Sequence, residues 1–235
     1  MSDDTIGLDF FEDQLMSVLA RQVLAMNPGE KLPSEREQAQ ELGVSRTALR
    51  DRLGRLESMG VLERRTGAGT FVRGLRPETV SESILLGLVA SKMSLASLRS
   101  VRCALERQAA YEAAQKVDHI AVAHMAVALD RMDASDDSDE LHEADVAFHR
   151  ALFAASGSRA LIFFADVLHG VLAPHQKLSL ADDRERLRVV HRDIAEAVSA
   201  HDPAMAMKAI DEHFLWLDQL ILRSEAPERT VEVPA

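Results

Sequence analysis

Residues 43–57 read GVSRTALRDRLGRLE, and that stretch decides the fold of the first third of the chain. Gly43 can end one short helix and Ser45 can cap the next, because a serine hydroxyl accepts a free backbone N–H of the first helical turn. At ~100° per residue, Arg46 and Arg50 fall one above the other on one face. Leu49, Leu53 and Leu56 form the opposite stripe and should face a core. A helix that is apolar on one side, with arginines crowding its N-terminal half, suits entry into a DNA major groove. Arginine grips guanine or phosphate through paired N–H donors, and the positive end of the helix dipole lies in the same place.

Outward from this helix, Ser34-Glu35-Arg36-Glu37 spells a capping box behind Pro33. It starts a helix carrying Ala39, Leu42 and Val44 inward, and Gly43 allows the tight turn that makes helix-turn-helix. After Met59-Gly60 the period changes. Val61 to Arg65 and Thr70 to Arg73 read as two strands around the glycine-bearing turn Thr66-Gly67-Ala68-Gly69. A basic hairpin directly after a recognition helix is a wing, whose tip reaches the minor groove or the backbone. On the other side, Phe10, Phe11, Leu15, Val18, Leu19, Val23 and Leu24 predict a helix from Asp9 to Met26, stopped by Asn27-Pro28-Gly29. Residues 1–8 are expected to be disordered.

LPSER, GVSRTALR, RLE..G and ERR.G.GTFV, in this order and spacing, resemble the N-terminal winged helix of the GntR family of bacterial transcription regulators. The resemblance covers roughly the first third of the chain. It implies that Arg36, Ser45, Arg46, Thr47, Arg50 and Gly67 occupy DNA-contacting positions. It also implies that the first helix packs behind the helix-turn-helix.

Hydrophobic residues make up 47% of the 235, but aromatics only 4%, and Ala, Leu and Val dominate, which favours a mostly helical protein. A single cysteine, Cys103, excludes an intrachain disulfide and suits a reducing compartment. No basic-then-apolar leader opens the chain, and no uncharged run reaches the ~18–20 residues of a membrane span. A cytoplasmic protein is expected. The net charge of −11 argues at first against nucleic acid. Between Lys31 and Gly74, however, nine basic residues outnumber six acidic ones, so DNA binding should be confined to that module.

Gly74-Leu75-Arg76-Pro77 is a break where composition changes, giving domains 1–75 and 76–226 and a disordered tail over 227–235. The second domain shows no strand alternation. It reads as seven helices: Thr79 to Lys92, Ser94 or Ser97 to Lys116, Asp118 to Met132, Glu140 to Ala155, Arg159 to Ala173, Asp182 to Ala200 and Pro203 to Ser224. The fold class is therefore mostly α, a winged helix-turn-helix followed by an all-helical bundle.

All nine histidines lie after residue 118. Asp145 and His149, four apart in HEADVAFHRALF, project from one helix face. His191 in RVVHRDIAEAV and His213 in MKAIDEHFLWL lie on two successive helices that bring such positions to similar heights across a short turn. A carboxylate and imidazoles in apolar helix text are costly to bury without a shared partner, and a divalent transition metal supplies one. His142, seven before His149, shares its face and is the main competitor, with His169 the other.

This pattern resembles the FCD ligand-binding domain of the FadR subfamily within the GntR regulators. The resemblance implies that Asp145, His149, His191 and His213 hold one divalent transition metal (Zn, Ni or Mn). It also implies that Arg102, in LRSVRCALERQAA, faces the same cavity and pairs with a small organic acid effector. The function expected is a ligand-responsive regulator, binding a palindromic double-stranded DNA operator as a homodimer. A regulator sensing the metal itself is the alternative. A metal-dependent hydrolytic enzyme is disfavoured, because no separate general base stands at motif spacing.

Overall fold

The computed structural model of the chain describes residues 11–74, 76–93, 95–116, 118–172 and 183–225. They form two compact units that divide between Ser83 and Ile84. Ten helices and one two-stranded sheet are found among the described residues.

The first unit contains α1 (Gln14–Leu24), α2 (Glu35–Glu41), α3 (Arg46–Ser58), β1 (Leu62–Arg65), β2 (Gly69–Val72) and the opening of α4 (Pro77–Ala90). Helix α1 starts later than its apolar period predicts, because Asp13 takes the N-cap. The Asp13 carboxylate accepts the Met16 N–H at 3.1 Å and pairs with Arg52 Nε at 2.8 Å. Phe11 packs against the core from ahead of the helix. Phe10 and residues 1–8 lie outside the described residues.

The capping box forms as read: the Glu37 N–H donates to Ser34 Oγ at 3.3 Å, and the Ser34 N–H donates to Glu37 Oε2 at 3.0 Å. Gly43 adopts φ +65°, a left-handed turn open to glycine, and Ser45 Oγ then accepts the Ala48 N–H at 3.1 Å. Met16, Leu19 and Val23 of α1, Ala39 of α2 and Leu49, Leu53 and Leu56 of α3 share one core with Leu62 and Val72 of the hairpin. Strands β1 and β2 pair antiparallel, with Leu62 opposite Val72 and Arg65 opposite Gly69. At the exit of α3, Gly60 has φ +80°, and a β-carbon there would lie 2.6 Å from Thr79 Cγ2. Only glycine fits.

The second unit holds the rest of α4, then α5 (Leu95–Lys116), α6 (His119–Ala134), α7 (Ser138–Ser156), α8 (Arg159–Leu172), α9 (Arg184–Ser199) and α10 (Pro203–Glu225). With α4 these are the seven helices expected. Asp118 caps α6 and Asp137, from the acidic joint, caps α7. Gly157 closes α7 at φ +64°. Phe148, Met125, Met132, Leu187, Ile194 and Trp216 anchor the main core. A smaller one joins Ile84, Leu85 and Leu88 of α4 to Leu98, Leu168, Val171 and Leu172. His175 and the tail over 227–235 lie outside the described residues. No described helix is long and apolar enough to cross a membrane.

Candidate nucleic-acid interface and metal centre

In the first unit, the start of α2, the start of α3 and the wing tip border one groove. Lys31, Arg36, Arg46, Arg64, Arg65 and Gly67 line it. Arg36, Arg46 and Thr47 are exposed. Arg50 keeps 61% of its side chain exposed, with its Nε 3.5 Å from Glu35 Oε2. Ser45 Oγ is engaged as the helix cap, so any contact it makes to DNA shares that role. Gly67, at the wing tip, has φ +73° and open space where a side chain would stand. Arg52 behaves differently from its neighbours: it turns back to Asp13 rather than outward.

In the second unit the expected metal ligands converge. Asp145 and His149 come from α7, His191 from α9 and His213 from α10. Ligand atoms of the three imidazoles lie within 4.8 Å of one another. His149 Nε2 and His191 Nε2 are 3.3 Å apart. Asp145 Oδ1 stands 3.0 Å from His191 Nε2 and 3.6 Å from His149 Nε2. All three histidines are buried. Phe148 meets the rings of His149 and His191 edge-on, and Phe214 meets His213 the same way, which fixes their planes. His142 and His169 do not belong to this group.

Hydrogen bonds behind the rings set which nitrogen each presents. The His191 Nδ1–H donates to the Leu187 carbonyl at 2.7 Å, leaving Nε2 toward the cluster. His149 Nδ1 lies 2.9 Å from Glu106 Oε2 of α5, at ion-pair distance though poorly aligned for a hydrogen bond. Neither ring nitrogen of His213 has a hydrogen-bond partner among the described residues. An imidazole buried with both nitrogens unsatisfied is costly, and a shared cation removes that cost. Three imidazoles and a carboxylate are ligands that a divalent transition metal takes. On both counts these residues fit such an ion.

The electrostatics agree. Burial by itself would raise the Asp145 carboxyl, yet His149 and His191 hold it well below the usual carboxylate range. Burial opposes ionisation of Glu106 too, and Arg102 with His149 overrides it. Burial also disfavours a charged His149, but Glu106 and Asp145 push its imidazole up to about 9. His213 is driven the other way, by burial and then by His191 and His149, and stays neutral.

A cavity of about 230 Å³ opens beside this cluster. Arg102, Glu106, Asp145 and His149 form one wall, and Arg150, Asp166 and His169 also border it. Arg102 lines the cavity, and its Nε is bound to Glu106 Oε1 at 2.6 Å. Glu106 is fully buried, and nothing in the sequence reading singled it out. The available signal was its place one turn after Arg102 on the same face of α5.

Residues 16–72 match the model of bacterial regulatory proteins of the gntR family, and residues 97–215 match that of the FCD domain. An uncharacterized HTH-type transcriptional regulator of Mycobacterium tuberculosis is 30% identical over 209 residues, covering 86% of each chain. The chain belongs to the GntR family. The HTH-type transcriptional regulator LutR of Bacillus subtilis is 29% identical, over 83% of this chain and 93% of LutR. Among solved structures, a Streptococcus agalactiae GntR protein shares the fold, with a TM-score of 0.65 at 23% identity over 90% of this chain and 98% of that one. As a GntR-family member with an FCD domain, the chain is a transcriptional regulator rather than an enzyme. Its winged helix serves DNA binding and its helical domain serves ligand binding.

Proposed function

We propose that this regulator binds a two-fold symmetric operator as a homodimer, under the control of a small carboxylate held at a metal site. In this reading residues 1–75 form the DNA-binding domain and residues 76–226 the effector domain. Arg46, Thr47 and Arg50 enter the major groove, while Arg36, Ser45 and Gly67 contact the flanking backbone or minor groove. Two recognition helices about one DNA turn apart require a two-fold protein. A DNA-binding regulator of this kind works in the cytoplasm.

Asp145, His149, His191 and His213 hold one divalent ion, with Zn, Ni and Mn as the expected candidates. The observation that carries this is the buried imidazole cluster, in which both nitrogens of His213 lack a hydrogen-bond partner among the described residues. When bound, the ion supplies a positive charge able to receive a ligand oxygen. Arg102 orients the effector carboxylate from the adjoining cavity wall, through the part of its guanidinium not bound to Glu106. The cavity next to the cluster favours this over a regulator that senses the metal alone.

The effector acts by preferring one arrangement of the dimer, a coupling of ~1–3 kcal/mol in typical systems. We assign its transmission to α4. Ile84, Leu85 and Leu88 of this helix pack in one cluster with Leu168 and Leu172, which also line the cavity. The test is selection of DNA from a random pool by the full metal-loaded chain, then titration of the selected DNA with small carboxylates. An inverted repeat whose affinity changes with a carboxylate supports the proposal. An asymmetric site, or one indifferent to every carboxylate with and without metal, contradicts it.

A further inference from the structure

The charges around the cavity do not cancel, and their imbalance says what the ligand must carry. Arg102 Nε lies 2.6 Å from Glu106 Oε1, with Glu106 fully buried and Arg102 mostly so, and this guanidinium meets a carboxylate of its own. Arg150 Nε lies 3.6 Å from Asp166 Oδ1 in a pair open to solvent, whose charges also cancel. Asp145 is the third carboxylate on the wall and faces His149 and His191. His169 contributes no charge, because burial and then Arg150 keep its imidazole below its ordinary value. With its imidazoles neutral, the wall therefore carries one negative charge. With a divalent ion held by Asp145 and neutral imidazoles, the balance becomes one positive charge. One anionic group on the ligand completes it. A second carried into the buried part of the wall, where Glu106 already holds Arg102, would have no partner of its own there, at high cost.

The remaining lining is apolar: Val146, Phe153, Ile162, Ala165, Leu168 and Leu172. About 230 Å³ is also far more space than a bare carboxylate group fills. We propose that the effector is a monocarboxylate with an apolar body, and that Glu106 sets this specificity by neutralising Arg102 and so denying a second anionic group its partner. Discrimination of this kind rests on withholding a charge from the wrong ligand as much as on contacts to the right one. The inference rests on the metal-and-carboxylate reading above.

The experiment is calorimetric titration of the full, metal-loaded chain with matched pairs of straight-chain acids from four to eight carbons. Butyrate is set against succinate, hexanoate against adipate and octanoate against suberate. Wild type should bind the better monocarboxylates about tenfold or more tighter than their dicarboxylate partners, a preference of about 1.4 kcal/mol or more. Glu106→Gln, similar in size but uncharged, should lose that preference or reverse it while keeping its metal. A wild type that prefers the dicarboxylates overturns the proposal, whether or not the variant folds. A variant that folds, holds metal and keeps the wild-type ratio overturns the role of Glu106. If no acid binds the loaded protein, the carboxylate reading falls and takes this inference with it. If chelated protein binds the monocarboxylates as well as loaded protein does, it is the metal reading that fails.

Discussion

In the winged helix, Arg50 keeps 61% of its side chain in solvent, and the carboxylate of Glu35 sits 3.5 Å away. In the helical unit, Arg102 is mostly buried and holds a fully buried Glu106 at 2.6 Å. The same residue types form both pairs, with different consequences. An exposed pair contributes little and exchanges partners readily, so Arg50 stays available to a phosphate or a guanine. A buried pair is fixed by the cost of separating it, so Arg102 and Glu106 can only act together. The first arrangement suits a surface that meets many DNA sequences, the second a pocket that admits one kind of ligand.

The largest test of this contrast is metal removal. If the ion is bound only by the folded helical unit, free metal at 100 to 1,000 times its dissociation constant stabilises that unit by about 3–4 kcal/mol. Chelation should lower the unfolding temperature of the helical unit and leave protection of the winged-helix amides unchanged. Hydrogen exchange resolves the two. An unchanged helical unit, or an equal loss in both, breaks the separation.

Next in size are the exposed arginines. Arg46→Ala and Arg50→Ala should each weaken specific operator binding by ~1–3 kcal/mol and flatten its salt dependence, with the fold intact. Fluorescence anisotropy across a salt series measures both. Two variants with wild-type affinity and slope would show that α3 does not read DNA.

The smallest effect concerns the arginine that turned inward. The Met16 backbone N–H and the Arg52 side chain hold the Asp13 carboxyl below its ordinary value, so its stabilisation is present at neutral pH. That contribution is lost as acid protonates the group. Asp13→Asn should therefore lower the stability of the winged helix at pH 7, and the gap to wild type should narrow progressively as pH falls below about 4. Parallel thermal melts at pH 7 and pH 3 decide it. A gap no smaller at pH 3 than at pH 7 would mean that Asp13 acts without its charge.

The winged helix was legible because its determinants are local. Ser34 with Glu37, Gly43 with Ser45, and the glycine turn of the wing each act within a few residues. The inward turn of Arg52 was not, since its partner Asp13 lies on another helix's cap. In the helical unit the seven helices could be read from their caps and breaks. Spacing alone could not separate His142 from His149, which share a helix face; packing against α9 and α10 separates them. Glu106 was hidden for the same reason. In LERQAA it reads as a solvated glutamate, and alanines on α5, Ala109, Ala110, Ala113 and Ala114, bury the helix without a bulky stripe to mark its inner face. Its partner His149 belongs to a distant helix.

Metal content tests the central claim most directly. Elemental analysis of the purified full chain, beside His149→Ala/His191→Ala and His142→Ala, should find about one divalent ion per chain in wild type. His142→Ala should retain it, and the double variant should lose it. A wild type without metal after incubation with Zn, Ni or Mn, or a double variant at full occupancy, would contradict the assignment of Asp145, His149, His191 and His213.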